Sequence, residues 1–200
     1  MRKYCFVVAL VFLALMCAGP AAAQQQFDIA FGVRTVTAPS ASSAPASFTP
    51  QSIGGGAYPT FSADYLFFKH LGIGGEVSWR ASRNVYLGFQ PYRPIFYDIG
   101  AVYAPPLGKH AAAELTAGIG AQSVRFYQPF FTCGFTGCTN FTSSNHFMGA
   151  FGGGLKIYVY GGVFIRPEAR LYLVHNNFEF SGSRATNFGL SIGYTSRSEY

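Results

Sequence analysis

"IRPEARLYLV", residues 165–174, decides how the rest of the chain is read. As an extended segment it turns Ile165, Ala169, Leu171 and Leu173 to one side and Arg166, Glu168 and Arg170 to the other, because successive strand side chains point to opposite faces. In a soluble sandwich the greasy face would be the core and the charged face would meet water. In a membrane barrel the greasy face meets lipid and the charges turn inward. The rest of the chain must decide between them.

Composition gives the first indication. The 200 residues, about one domain's length, are 50% apolar and only 11% charged, with 24 Gly, 21 Phe and 13 Tyr. Soluble domains carry about 25% charged residues, so this surface is not made for water. At the N-terminus Arg2 and Lys3 precede an apolar run over 6–18, and Ala21, Ala22 and Ala23 stand before Gln24. This is the pattern of a cleaved signal peptide over 1–23, leaving a barrel domain over 24–200. The run is shorter than the about 20 residues a helical anchor needs. Loss of Arg2 and Lys3 reduces the 14 basic residues to 12 against 8 acidic, with no block of like charge, which argues against nucleic acid as a partner. Cys5 and Cys17 fall in the leader, so Cys133 and Cys138 in "FTCGFTGCTN" remain, and in an exported chain they read as a disulfide within a loop. A metal would need more ligands than His146, the only nearby candidate, and no cofactor motif occurs.

Period-two alternation recurs over 27–37, 60–68, 72–81, 95–104, 111–124, 147–159, 163–174 and 187–195, which predicts eight strands and an all-β chain. The connections alternate in length. Long ones, such as "APSASSAPASFTPQSIGGGAYP" and the cysteine stretch 125–146, are separated by "KHL", "PPLGKH" and "YGG". That order predicts an antiparallel up-and-down transmembrane barrel; a sandwich does not demand it. Asp28, Asp64, Glu76, Asp98, Glu114 and Glu168, with Arg34, Arg80, Lys156, Arg166 and Arg170, all fall opposite the apolar stripes. Tyr65, Trp79, Tyr103 and Tyr194 sit near strand ends on the stripes, as aromatic girdles would. The expectation is a polar interior plugged by a charge network of Glu76, Arg80, Asp98, Glu114, Lys156, Arg166, Glu168 and Arg170, since an eight-stranded barrel is only wide enough for side chains. A soluble lipocalin-like barrel with the apolar face inward is the alternative. Pro167 lacks the donor that a closed ladder uses, which predicts a bulge there.

In this pattern the chain resembles the small eight-stranded outer-membrane barrels of the OmpA and OmpX type. "NFGLSIGY", 187–194, looks like the C-terminal signal read by the barrel-assembly machinery, with Asn187, Gly189, Ile192 and Tyr194 in its places. The family usually ends on an aromatic residue of that strand, whereas "TSRSEY" follows here, so Tyr200 is a second candidate for the terminal aromatic. The resemblance implies export to a bacterial outer membrane, with outer-membrane lipids and the assembly machinery as partners. It further implies a non-enzymatic role in envelope integrity or surface interaction through external loops, whose ligand it leaves open. A narrow passive pore is an alternative. A third reading comes from barrels of this kind that deacylate lipid A with a His and Ser pair. Against it, His175 in "VHNNF" is followed by Asn where the Ser is wanted, and Ser181 and Ser183 stand further on.

Overall fold

The computed structural model describes residues 25–38, 53–134, 137–177, 179–180 and 182–197. The leader-like segment with its boundary at residue 23, Ser181 and Tyr200 lie outside them. Nine strands follow in chain order: β1 (Gln26–Thr37), β2 (Tyr58–Phe68), β3 (Leu71–Trp79), β4 (Asn84–Tyr86), β5 (Gln90–Tyr103), β6 (Ala111–Gly134), β7 (Gly137–Tyr160), β8 (Val163–Val174) and β9 (Arg184–Arg197). Chain neighbours pair antiparallel except β3 and β4, β1 pairs with β9, and β3 pairs directly with β5 over nine residue pairs from Leu71↔Tyr103 to Trp79↔Ile95. Those last two pairings close eight strands into a barrel and leave β4 as a short hairpin arm on β5, turned by Leu87 and Gly88 at φ 52° and 82°.

The long connections all leave one end of the barrel and the short turns the other. Along β1 and β8 burial alternates residue by residue, as the sequence pattern requires. The apolar stripes face out: Ile99, Ile119, Leu190 and Ile192 are 62%, 58%, 56% and 58% exposed. Soluble monomers rarely leave so large a contiguous apolar surface uncovered. The alternative with the apolar face inward is thereby excluded.

Three expectations are corrected. The cysteine stretch is not a loop: β6 and β7 run on past the barrel as a two-stranded ribbon, with Cys133 opposite Cys138. Its alternation fails because, once clear of the barrel, neither face is a core, while Phe, Tyr and Thr still favour extended backbone. Secondly, Pro167 brings no bulge. Gly154↔Glu168 and Ile157↔Ile165 keep one register on the β7 side, with a gap in pairing between them, and Pro167↔Leu190 continues unbroken on the β9 side. The missing donor is met by a gap in the ladder without an inserted residue. Thirdly, the interior is not polar throughout. Towards the long-loop end Val36, Tyr58, Tyr92, Phe96, Val124, Met148, Tyr172 and Val174 turn inward and pack together.

Candidate functional site

The inward faces build two storeys. The lower one, through the middle of the barrel and towards the short turns, is ionic. Lys156 Nζ lies 2.5 Å from Asp28 and 2.5 Å from Glu114, with Asp64 at 3.9 Å. Arg166 reaches Glu114 at 2.7 Å and Asp64 at 3.6 Å, and donates to Ser62 Oγ at 2.7 Å. Above them Arg34 lays its guanidinium fork on the Glu76 carboxylate and meets Glu168 at 2.6 Å. Arg170 bridges Glu76 at 2.9 Å and Asp98 at 3.0 Å. Arg166 Nε, 3.1 Å from Glu168, ties the two groups together. The hydroxyl of Tyr172 donates to Glu76, and that of Ser191 to Glu168. Every side chain in these pairs is at most 7% exposed. Attraction between them is therefore strong, and so is the penalty for losing a partner.

Glycines make the room. A Cβ on Gly189 would lie 2.3 Å from Arg34 Cγ, and one on Gly152 2.8 Å from Arg170 Cγ. The small residues and the long cations are thus two halves of one packing solution.

Of the eight network residues read from the sequence, the structure brings Glu76, Asp98, Glu114, Lys156, Arg166, Glu168 and Arg170 into contact. Arg80 stands apart: it makes no ion pair among the described residues and lies at the long-loop end, where the absence of a Cβ on Gly56 gives its guanidinium space. Arg34, Asp28 and Asp64 belong to the network instead. Their inward phase was legible, but no sequence signal says which inward charge reaches which.

The upper storey is aromatic. Phe96 stacks on Tyr172 at 4.9 Å with planes 9° apart, directly over the carboxylate that Tyr172 holds. Phe180, from the β8–β9 connection, is buried against Tyr92 at 5.0 Å and Tyr86 at 5.5 Å. Beside it Glu179 receives the Ser144 hydroxyl and sits 2.8 Å from His146 Nε2. Ser144 Oγ is also 3.1 Å from that same nitrogen. A serine nucleophile needs a base nitrogen to itself, with the carboxylate on the other side of the ring. Here carboxylate and hydroxyl crowd one nitrogen, and the hydroxyl proton points to Glu179. The arrangement anchors a loop. His175, the residue weighed for catalysis, is exposed, and its N–H donates to the Phe147 carbonyl. Ser183 is exposed too.

No protein-family model and no curated protein matches the chain. Solved structures do. The attachment invasion locus protein Ail of Yersinia pestis, in complex with the heparin analogue sucrose octasulfate, is similar at 13% identity and TM-score 0.56 over 86% of this chain and 99% of that one. Neisserial surface protein A is similar at 10% identity and TM-score 0.58, over 85% of this chain and 96% of that one. The N-terminal β-barrel domain of Pseudomonas aeruginosa OprF follows at 14% and 0.52, over 87% and 98%. The fold is that of the small outer-membrane β-barrels. At these identities the likeness is one of fold alone.

On such a barrel the stripe residues face lipid. Of the four residues read as an assembly signal, Ile192 and Tyr194 point outward and Asn187 and Gly189 inward, where Gly189 already has a packing reason in Arg34. Cys133 and Cys138 are bonded across the ribbon, well beyond the lipid-facing rows.

Proposed function

We propose that the chain is a non-enzymatic bacterial outer-membrane protein whose barrel is a closed scaffold, holding a disulfide-stapled ribbon outside the cell for surface interaction. The leader-like segment 1–23 fits export, the outward stripes fit outer-membrane lipids as the surrounding medium, and the last strand with Asn187, Gly189, Ile192 and Tyr194 fits hand-over by the barrel-assembly machinery. The observation that carries the closed reading is the stacked interior. Paired charges span the middle of the barrel, and Phe180 with Tyr92 and Tyr86 fills its long-loop end. Eight strands enclose a lumen only about wide enough for side chains, so this filling supports the closed reading. The surface role draws support from a barrel of the same fold whose structure holds a sulfated sugar. Planar-bilayer recording of the refolded protein tests the scaffold reading. The expected trace is flat, and stable open channels would replace the scaffold with a narrow pore.

A further inference from the structure

The chain distributes its charges unevenly. Of the eight acidic residues, six line the interior, Glu179 is bound to Ser144 and His146, and Glu199 lies outside the described residues. The outer face at the long-loop end therefore has arginines with no acid to answer them. Arg93 on β5 and Arg125 on β6 are cross-strand partners, and Ser143 on β7 continues the same row. All three point away from the interior, since their neighbours Tyr92 and Val124 are buried within it. One row up, Tyr127 pairs with Phe141; Arg83 lies 3.7 Å over the Tyr127 ring and Arg125 4.8 Å over that of Phe141.

Like charges placed directly opposite on a strand pair repel. Here the repulsion is not relieved within the chain: among the described residues neither Arg93 nor Arg125 makes an ion pair. The Nε of each is shielded from solvent without a hydrogen-bond partner, and Arg93 otherwise donates only to the Ala81 carbonyl, at 3.2 Å. The aromatic faces hold two of the guanidinium planes in place. Such a pair, with a hydroxyl beside it, matches a phosphate, which accepts several charge-assisted bonds at once. Height names the source of that phosphate. The row below holds Trp79, Ile95, Ser123 and Asn145, and the next Val77, Tyr97, Ala121 and Phe147, where the lipid-facing band begins. Arg93 and Arg125 stand where headgroups lie.

We propose that Arg93, Arg125 and Arg83, with Ser143, form a site for the phosphate of an outer-leaflet lipid headgroup. The proposal rests on the outer-membrane reading above. Trp79, the only tryptophan, pairs with Ile95 one row below Arg93 and so reports on the site.

The test uses the refolded full chain in phosphatidylcholine vesicles, with energy transfer from Trp79 to a dansyl-labelled glycolipid carrying phosphomonoesters and to the same lipid with them removed. The phosphorylated lipid should reach half-maximal transfer at a concentration about tenfold lower. Arg93→Gln with Arg125→Gln should abolish that preference, Arg125→Lys should retain part of it, and Arg184→Gln, across the barrel on β9, should leave it intact. Equal transfer from both lipids, or equal loss from Arg184→Gln, would overturn the site. Displacement of the lipid by inorganic phosphate or by a sulfated oligosaccharide, each binding as well in micelles as in vesicles, would reassign it to a soluble anion. Vesicle flotation separates the two readings: protein that does not float refutes the membrane placement, whereas protein that floats without the preference refutes the phosphate site alone.

Discussion

Replacing Arg34 by Met tests whether the interior is held by charge balance. The Arg34 side chain is fully buried and touches two carboxylates, those of Glu76 and Glu168. Around it the ion pairs connect six carboxylates to four cations, so acids are already in excess. Removing one partner of a buried pair costs about 3–5 kcal/mol. Glu76 would keep Arg170 at 2.9 Å and Glu168 would keep Arg166 at 3.1 Å, which points to the lower end, about 3 kcal/mol. Glu76→Gln acts in the opposite direction: it relieves the acid excess, and Arg34 and Arg170 retain Glu168 and Asp98, so the expected loss is under about 2 kcal/mol. Combining Arg34→Met with Glu76→Met restores the original imbalance and should be more stable than Arg34→Met alone. Urea unfolding in lipid vesicles, followed through Trp79, measures all three. If Arg34→Met stays within about 1 kcal/mol of wild type, or if Glu76→Gln is the worse of the two singles, the balance argument fails.

The lipid-facing stripe makes its own prediction: Ile119→Arg and Leu171→Arg should each cost about 2–4 kcal/mol near the midplane, and wild-type refolding of both would place the stripe elsewhere. Truncation before Asn187 should abolish outer-membrane insertion, while loss of residues 197–200 alone should do much less; equal defects by membrane fractionation would move the assembly signal to Tyr200. Replacing Cys133 and Cys138 by Ser should leave barrel unfolding almost unchanged, because so small a closed loop restricts few unfolded conformations, yet it should hasten protease cleavage of the ribbon. A large drop in barrel stability would show that the ribbon is part of the barrel's cooperative unit.

How far the chain could be read beforehand follows from where period two survives. It survives wherever one face meets lipid and the other meets charge, so the outward stripe and the inward phase of Arg34, Glu114 and Lys156 were legible from residue order. It weakens at the long-loop end, where both faces are apolar: Phe96 and Tyr172 point inward between Tyr97 and Leu171 pointing out, and residue type no longer separates the sides. The aromatic storey was missed for that reason. The pairing of Arg34 with Glu76 depends on positions 42 residues apart meeting across the lumen, and Ser144 meets Glu179 over 35. Such contacts follow from barrel curvature and strand stagger, which local alternation does not encode.

The ribbon of β6 and β7 has a further consequence. Above the barrel neither strand has an outer neighbour among the described residues, and a straight run of unpaired backbone groups would accept a strand from another molecule. Between Tyr127 and Thr132 the register slips, so that Gln128, Pro129, Phe130 and Phe131 face the single residue Asn140. Pro129 removes one donor and the slip bends the rest out of line. Such an irregular edge is a poor template for edge-to-edge pairing between copies.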